Sequence, residues 1–462
     1  MVKLDAIGRK PLRFPLDELA AARMHKAMST GARDVERRPL KGSAFRSLAT
    51  PNYRRWAIGA LISNIGTWMQ RTAQDWLVLT VLTHNNATAV GVVMGLQFGP
   101  QLLFLPITGY AADHWDRRKI LLVTQTAMGL LAVGLGVLTL TGLVQLWQVF
   151  IFAFLLGSAA AFDAPARQTF VGELVGETNL TNAVALNATS FHAARMVGPA
   201  VAGLMMGAIG TGWMFVINGA SYFAVILSLL SLERSQLHPH GRGPKGRGGL
   251  VQGFRYVKSR PDIVAMLVML FLIGAFGLNF PIFISTMAVK VYGVGASHFG
   301  LLSSALAVGS VSGALLAARR ERPRFTLLML GAILFCVGCS LAAVMPNYVL
   351  FGLFLVLVGV AAQTFTTNNN SLVQLTTEPA MRGRVMAILM AIVMGTTPIG
   401  APLVGFVADR FGPRWSLMVA AASGLAAALV GVAYLARHRN LRLDPASRRP
   451  RFIYDDETTE KM

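Results

Sequence analysis

The chain has 462 residues, of which 54% are hydrophobic and only 14% are charged. A composition this apolar excludes an ordinary soluble protein and indicates a membrane protein. The formal net charge of +21 raises the question of nucleic-acid binding, which the positions of the charges along the chain answer.

Apolar stretches of about 20 residues, the length that crosses a bilayer as a helix, recur along the whole chain. Twelve spans are predicted, at residues 56–82, 88–111, 120–141, 146–165, 188–209, 212–232, 263–289, 297–318, 325–345, 347–367, 385–407 and 414–436. The predicted fold is an all-α integral membrane protein. Its expected parts are a basic tail, a six-helix bundle, a linker, a second six-helix bundle and a second tail, at residues 1–54, 55–232, 233–262, 263–436 and 437–462.

Basic residues lie on alternate connections between the predicted spans. They crowd the N-terminal tail, the segment after span 2, the linker after span 6, the turn after span 8 and the C-terminal tail. The intervening connections carry almost no charge, so the positive-inside rule predicts a plasma-membrane protein with both termini in the cytoplasm. Topology and attraction to anionic lipids explain the charge, and no nucleic-acid partner is expected.

The first predicted span carries a stripe of polar residues. On a helical wheel of about 100° per residue, seven of them share one arc, namely Ser63, Asn64, Thr67, Gln70, Arg71, Gln74 and Asp75. A charge at the centre of a spanning helix costs roughly 2.5–3.5 kcal/mol. The arc is therefore predicted to face a water-accessible cavity or the interior of the bundle.

Arg71 and Asp75 stand one helical turn apart, so they can pair and offset each other's charge. Counting about 1.5 Å per residue from Trp56, Arg71 falls near the middle of the membrane and Asp75 about 6 Å nearer the outside. We hypothesise that Asp75 carries a coupling proton, which it exchanges with one side when the cavity opens. The alternative is a static ion pair that helps the first span to pack.

The loop after span 2 reads GYAADHWDRRKILL and resembles the signature loop of the major facilitator superfamily. The resemblance rests on four residues, Gly109, Asp113, Arg117 and Arg118. Two positions depart from the family pattern, His114 and Asp116. The resemblance implies a close helix contact at the glycine, and a latch of carboxylate and arginines that breaks when two halves rock. The alternative is a plain charged loop.

Spans 4 and 5 carry three charged residues at their predicted cytoplasmic ends, Asp163, Arg167 and Arg195. These side chains are expected either to pair as an inner gate or to extend to the membrane surface. The sequence leaves both possibilities open.

Further along span 5, Gly198, Pro199 and Gly203 resemble the Gly-Pro element of the superfamily's drug and proton antiporters, which implies export. Close packing of an ordinary helix is the alternative. The stretch FDAPARQTFVGELVGETNL, together with NIGTWMQRTAQDWLVL and DRRKILL, is similar to the branch that includes the enterobactin exporter and macrolide efflux proteins. This similarity covers residues 50–436.

The two halves of the chain are related as an internal repeat. A shift of 202 residues brings identical residues into register, including Gly157 with Gly359 and Trp213 with Trp415. Because each half has six predicted spans, the repeat is parallel, as in transporters that rock two halves around a central site. Weaker candidates for the wall of that site are Asn279, Gln363 and Asn368.

The chain has no phosphate-binding loop, H-E-x-x-H pair or nucleophile elbow, so no enzyme, cofactor or metal site is predicted. The expected protein is a monomeric secondary transporter that works by alternating access. It would export amphipathic small molecules such as drugs, siderophores or secondary metabolites against proton entry. Two alternatives stay open: an importer or uniporter of a small metabolite, and a receptor or assembly protein that keeps the fold without transport.

Overall fold

Helices make up almost all of the protein that the computed structural model describes, which is residues 45–238, 249–318, 323–438, 442–444 and 451–453. Within these ranges, fourteen α-helices follow one another: α1 (Pro51–Leu77), α2 (Ala87–Leu103), α3 (Leu105–His114), α4 (Arg117–Leu140), α5 (Leu146–Ile209), α6 (Thr211–Leu230), α7 (Gly249–Lys258), α8 (Pro261–Leu272), α9 (Phe280–Thr286), α10 (Ala296–Ala318), α11 (Phe325–Val344), α12 (Tyr348–Thr376), α13 (Arg382–Arg410) and α14 (Pro413–His438). In the second tail, β1 (Arg442–Asp444) pairs antiparallel with β2 (Arg451–Ile453). The first tail up to residue 44 and the middle of the predicted linker lie outside the described residues.

In the described part of the chain, nine helical stretches are long and apolar enough to cross a membrane. They correspond to predicted spans 3, 4 and 6–12. The other three predicted spans are also helical, but polar residues or breaks interrupt each of them. α1 contains the polar stripe, span 2 is divided into α2 and α3 at Phe104, and the helix of span 5 contains His192 and Arg195.

The outer surface of the helices is apolar. Val123 and Leu130 of α4 are 70% and 69% exposed, and Phe223 of α6 is 59% exposed. Large apolar side chains in such numbers are unfavourable against water and favourable against lipid tails. The exposed surface, together with the long apolar helices, identifies a multi-pass membrane protein.

α5 consists of two helices joined at Gly176, whose φ of 65° lies in the left-handed region that glycine adopts without steric conflict. The first helix continues well beyond residue 165, and the second begins well before residue 188, so the residues between predicted spans 4 and 5 are helical on both sides of Gly176. This corrects the position of Arg195. At 1.5 Å per residue, Arg195 lies about 21 Å from the end of the helix at Ile209, near its middle rather than at its start.

The seventh span is interrupted. α8 ends at Leu272, a wider helical turn covers Ile273–Gly277, and α9 begins at Phe280 with Pro281 in its first turn. Proline has no backbone N–H and its ring conflicts with the preceding turn, so a regular helix does not continue through it.

The bundle has two ends, which contacts between distant segments define. At the linker end, Ser47 donates to the side chain of Asn182 at 2.6 Å, and Asn52 donates to the carbonyl of Glu233 at 3.0 Å. At the opposite or far end, Tyr292 after span 7 donates to the carbonyl of Met345 after span 9 at 3.1 Å. We use these two names for the ends below.

The N-terminal half (45–238) and the C-terminal half (249–438) meet through small residues. α2 packs along α13, where Gly91 lies against the backbone of Ala401. α5 crosses α10, where Gly203 lies against Gly300. At both crossings a Cβ would overlap backbone atoms, so only glycine allows this approach. Both contacts lie toward the far end, because α2 starts there and α5 ends there.

Candidate transport site

The polar stripe of α1 lies inside the bundle. α1 packs against α5 and α6, and of its seven stripe residues five are at most 9% exposed, namely Ser63, Asn64, Gln70, Gln74 and Asp75. Thr67 and Arg71 are half-buried. The stripe therefore forms a continuous polar band through the N-terminal half, with two differently bonded parts.

On the linker side of Arg71, Thr67 and Gln70 are bonded to α6, whereas the Ser63 hydroxyl is buried without a partner. Thr67 and Tyr222 share a hydrogen bond of 3.0 Å between their hydroxyls, and the amide of Asn218 donates to the side-chain carbonyl of Gln70. The sequence left open whether the stripe faces a water-accessible cavity or the interior of the bundle. Thr67 and Gln70 lie in the bundle interior. Tyr222 and Asn218 were not predicted as site residues; their spacing of one helical turn within an apolar span was the available signal.

The part of the band from Arg71 toward the far end has buried polar atoms without hydrogen-bond partners. Nε of Arg71, both amide atoms of Gln74 and Oδ1 of Asp75 are buried without a hydrogen-bond partner. The predicted pairing of Arg71 with Asp75 is not formed within 4.0 Å. The Arg71 guanidinium instead lies 4.6 Å from the ring centre of Phe98 and 5.0 Å from that of Trp68. One helical turn permits an ion pair but does not enforce it, and the aromatic faces attract the cation instead.

The predicted cluster of Asp163, Arg167 and Arg195 forms only in part. Asp163 and Arg167 pair at 2.9 Å, and the Asp163 carboxylate also accepts from Thr124 at 3.0 Å and Gln125 at 2.7 Å in α4. Arg195 does not join them. Because the chain between the two spans is helical, Arg195 lies beside α1. Its guanidinium is 5.4 Å from the ring centre of Trp68.

The loop after span 2 is bonded within the N-terminal half. Asp116 caps α4 by accepting from the backbone N–H of Lys119 at 3.1 Å. Arg117 pairs with Glu173 near the end of span 4, and Arg118 donates to the carbonyl of Leu229 at 2.9 Å. Glu173 was not predicted, although it stands in the quoted FDAPARQTFVGELVGETNL stretch. The side chain of Asp113, the predicted carboxylate of the latch, lies outside the described part.

The predicted glycine contact of this loop is not seen. A Cβ at Gly109 in α3 would meet nothing within 4 Å, and α3 packs against α5 and α2 of its own half. The resemblance implied a close contact here, which belongs to an arrangement in which the linker ends of the two halves approach. In this structure the tight glycine contacts between the halves lie toward the far end instead.

The three residues of the Gly-Pro element have different neighbours. Pro199 lies within an unbroken stretch of α5, and Gly198 packs against Cβ of Trp68 and the backbone of Met69 in α1. Gly203, just over one turn further on, faces the opposite direction and meets Gly300 of the C-terminal half. The element thus holds α5 against α1 on one side and against α10 on the other.

A carboxylate at the far end joins the two halves. Asp409, the penultimate residue of α13, accepts from the backbone N–H groups of Ala87 and Thr88 at 2.8 and 2.7 Å, and from the Thr88 hydroxyl at 2.7 Å. Lys290 pairs with it at 2.8 Å. The carboxylate thus caps the N-terminus of α2, where a negative charge is favoured. The sequence predicted no role for Asp409.

The weaker candidates in the C-terminal half use their donors locally. Asn279 donates to the carbonyl of Ala275 at 2.6 Å within the interrupted span, and Asn368 to that of Thr364 at 2.8 Å. Gln363 donates to the Thr367 hydroxyl at 3.0 Å and is half-buried. Of the three, Gln363 is the most exposed, because Asn279 and Asn368 are 1% and 4% exposed.

Comparisons with known proteins agree with this arrangement. The chain is 25% identical to the staphyloferrin A transporter of Staphylococcus aureus over 354 residues, which cover 75% of this chain and 87% of the relative. It is 26% identical to the enterobactin exporter EntS of Escherichia coli over 370 residues, which cover 77% and 85% of the two chains.

Solved structures show the same fold at low identity. A bacterial homologue of the human lysosomal transporter Spinster, solved in an inward-facing, unoccupied conformation, superposes with a TM-score of 0.67 at 15% identity, covering 86% of this chain and 99% of the other. The D-xylose–proton symporter superposes with a TM-score of 0.67 at 14% sequence identity, and the match covers 85% of this chain and 98% of the symporter. Residues 42–454 match the family model described as transmembrane secretion effector. The chain therefore belongs to the transmembrane secretion effector family of the major facilitator superfamily.

Proposed function

We propose that the chain is a twelve-span secondary transporter of the plasma membrane that exports amphipathic small molecules, with both termini and the linker in the cytoplasm. The observation that carries this proposal is the band of α1, where Arg71, Gln74 and Asp75 keep buried polar atoms without partners inside an apolar bundle. Such groups are costly in a membrane and mark the path of a polar substrate or ion. The siderophores named for the two relatives support a substrate of this kind.

The proposed mechanism is alternating access between the N-terminal and C-terminal halves. The hydrogen bonds to Asp409 and the contact of Gly203 with Gly300 close the far end, whereas at the linker end the main packing partners of α3 are α5 and α2 of its own half. With the linker in the cytoplasm, this is an inward-facing arrangement, as in the solved Spinster homologue. Export requires the far-end contacts to break and linker-end contacts to form in their place.

Asp75 is the proposed carrier of the coupling proton. It is 4% exposed, it lies in the last turn of α1 inside the bundle, and one of its carboxylate oxygens has no partner. By contrast, Asp163 is bonded by Arg167, Thr124 and Gln125, and Asp409 by four donors. A carboxylate without bonded donors can gain or lose a proton without breaking a network, which suits a proton carrier.

Replacing Gly203 with Val is expected to prevent closure of the far end. Its Cβ would overlap the backbone of Gly300, and overpacking of this kind costs about 1–3 kcal/mol, equivalent to a shift of about 5- to 150-fold between the two conformations. The measurement is the transport rate of purified protein in liposomes. Gly129→Ala is the matched control, because a Cβ there would lie at an ordinary 3.5 Å from Tyr222. A Gly203→Val variant as active as Gly129→Ala would contradict the proposed role of this crossing.

The export proposal is tested by accumulation of amphipathic dyes and siderophores in cells with the wild-type protein or an empty vector, each with and without a protonophore. Lower accumulation in cells with the protein, reversed by the protonophore, is expected. Higher accumulation would establish an importer or uniporter instead. Equal accumulation for the whole panel, with the protein confirmed in the membrane, would favour a receptor or assembly role.

A further inference from the structure

Two arginines of the N-terminal half share one aromatic side chain. The guanidinium carbons of Arg71 and Arg195 lie 5.0 and 5.4 Å from the ring centre of Trp68. Phe98 lies 4.6 Å from the Arg71 guanidinium, and the ring of Phe191 meets that of Trp68 edge to face at 5.9 Å. We refer to these five residues as the arginine–tryptophan cluster. It is built from three helices, α1, α2 and α5.

Neither arginine of the cluster is neutralised by an ion pair. In the described ranges, the arginines at positions 55, 117, 167 and 260 each have a carboxylate within 4.0 Å, whereas Arg71 and Arg195 have none. Nε of Arg71 is also buried without a hydrogen-bond partner. Stacking on an aromatic face offsets only part of the cost of a charge at membrane depth. The cluster therefore lacks an anion.

The open side of the cluster faces away from lipid. Along α5, Val197 and Leu204 are 45% and 50% exposed and mark the apolar outer face. At about 100° per residue, Arg195 lies about 160° from Val197 and about 180° from Leu204, on the opposite side of the helix. Arg195 and its neighbour His192 are nevertheless exposed, and Phe191 is 41% exposed. This exposed polar face of α5 looks into the space between the halves.

We propose that the arginine–tryptophan cluster binds an anionic group carried on an aromatic ring of the substrate, such as an aryl carboxylate. Guanidinium groups bind planar carboxylates through two parallel hydrogen bonds, and the exposed ring of Phe191, next to the half-buried ring of Trp68, suits a flat ring beside them. With Asp75 ionised, the two arginines and this carboxylate leave one net positive charge, which a monoanion neutralises. The inference rests on the proposed transport through this space and adds the charge and shape of the substrate.

The test is equilibrium binding of three probes of matched shape, 2-naphthoate, 2-naphthalenemethanol and 2-naphthylmethylammonium, to the purified full-length protein. We expect 2-naphthoate to bind about tenfold or more tightly than the ammonium probe. Arg195→Gln should weaken the binding of 2-naphthoate about tenfold and change the affinity for the neutral alcohol less than twofold. The substitution removes the charge of the side chain and keeps the contacts with the aromatic rings. Arg195→Lys should retain part of the affinity, since it keeps the charge but not the paired hydrogen bonds.

The matched control is Arg55→Gln, which removes an arginine at the linker end of α1 and should leave binding of all three probes unchanged. Equal or tighter binding of the ammonium probe, or an equal loss of all three probes in Arg195→Gln, would overturn the proposal. Its failure is distinguishable from failure of the export proposal. If the protein binds the anionic probe preferentially but shows no flux, the anion site is supported and export is refuted. If it exports cationic dyes and shows no preference for the anionic probe, export is supported and the anion site is refuted.

Discussion

Replacing Asp75 with Asn is expected to abolish protonophore-sensitive export while leaving the folded protein in the membrane. Asparagine has nearly the same shape as aspartate but takes up no proton, so packing is kept and coupling is lost. We expect at least about a tenfold fall in the export rate, as for loss of a required proton-transfer group. The measurement is substrate flux in liposomes under an imposed pH gradient, with protein content equalised.

Two variants separate coupling by Asp75 from a merely structural role. Asp75→Glu keeps the carboxylate and should restore part of the flux. Asp262→Asn removes a carboxylate paired with Arg260 at 2.8 Å outside the central band, and should transport as the wild type does. If Asp75→Asn kept both its rate and its response to the pH gradient, Asp75 would be a packing residue and the proton carrier would have to be sought elsewhere.

Replacing Asp409 with Asn is expected to open the far end of the bundle. The substitution removes the charge that attracts Lys290 and one of the two acceptor oxygens that hold the N-terminus of α2. Hydrogen bonds to a charged group contribute about 1.5–3 kcal/mol, so the equilibrium should shift toward the outward-open conformation by about 10- to 100-fold. A transporter biased in this way should also turn over more slowly, because it returns to the inward-facing state less often.

The opening is measured with a single reporter thiol. In a background without the chain's two cysteines, Cys336 and Cys339, Val90→Cys places a thiol at a fully buried position of α2 near the far end. A membrane-impermeant thiol reagent added outside intact cells should modify it severalfold faster with Asp409→Asn than without it. Lys290→Gln should give a smaller increase, because the hydrogen bonds to α2 remain. Unchanged modification in Asp409→Asn would show that the glycine contacts close the far end without this carboxylate.

The polar stripe of α1 shows which features of the site helical periodicity predicts and which it does not. Periodicity placed Thr67, Gln70 and Asp75 on one inward face, and the burial of the band agrees with that placement. Periodicity did not distinguish residues that bond α6 from residues left without partners, because that depends on side chains 148 to 155 positions away. The spacing of Arg71 and Asp75 suggested an ion pair, yet the Arg71 guanidinium lies against the aromatic rings of Trp68 and Phe98 instead.

The segment between spans 4 and 5 shows the main error of hydropathy. Its polar residues left it outside the predicted spans, whereas it continues both helices up to Gly176. A helix that leaves the membrane can continue with polar residues, since its backbone hydrogen bonds are satisfied within the helix in either surrounding. Arg195 was therefore placed at the cytoplasmic end of span 5, either in an inner gate or extended to the membrane surface, although it lies near the middle of its helix beside Trp68.

What the sequence determined by itself is local or compositional. Runs of apolar residues predicted the membrane helices, and the signature loop indicated the superfamily to which the chain belongs. Only the tertiary structure decided which groups meet, as in Asp409 with the N–H of Ala87, 322 positions earlier. Hydropathy and helical period act between near neighbours in the chain, whereas a gate or a binding site depends on distances between helices far apart in it. For that reason the fold could be predicted, while the partners of Arg71, Arg195 and Asp409 could not.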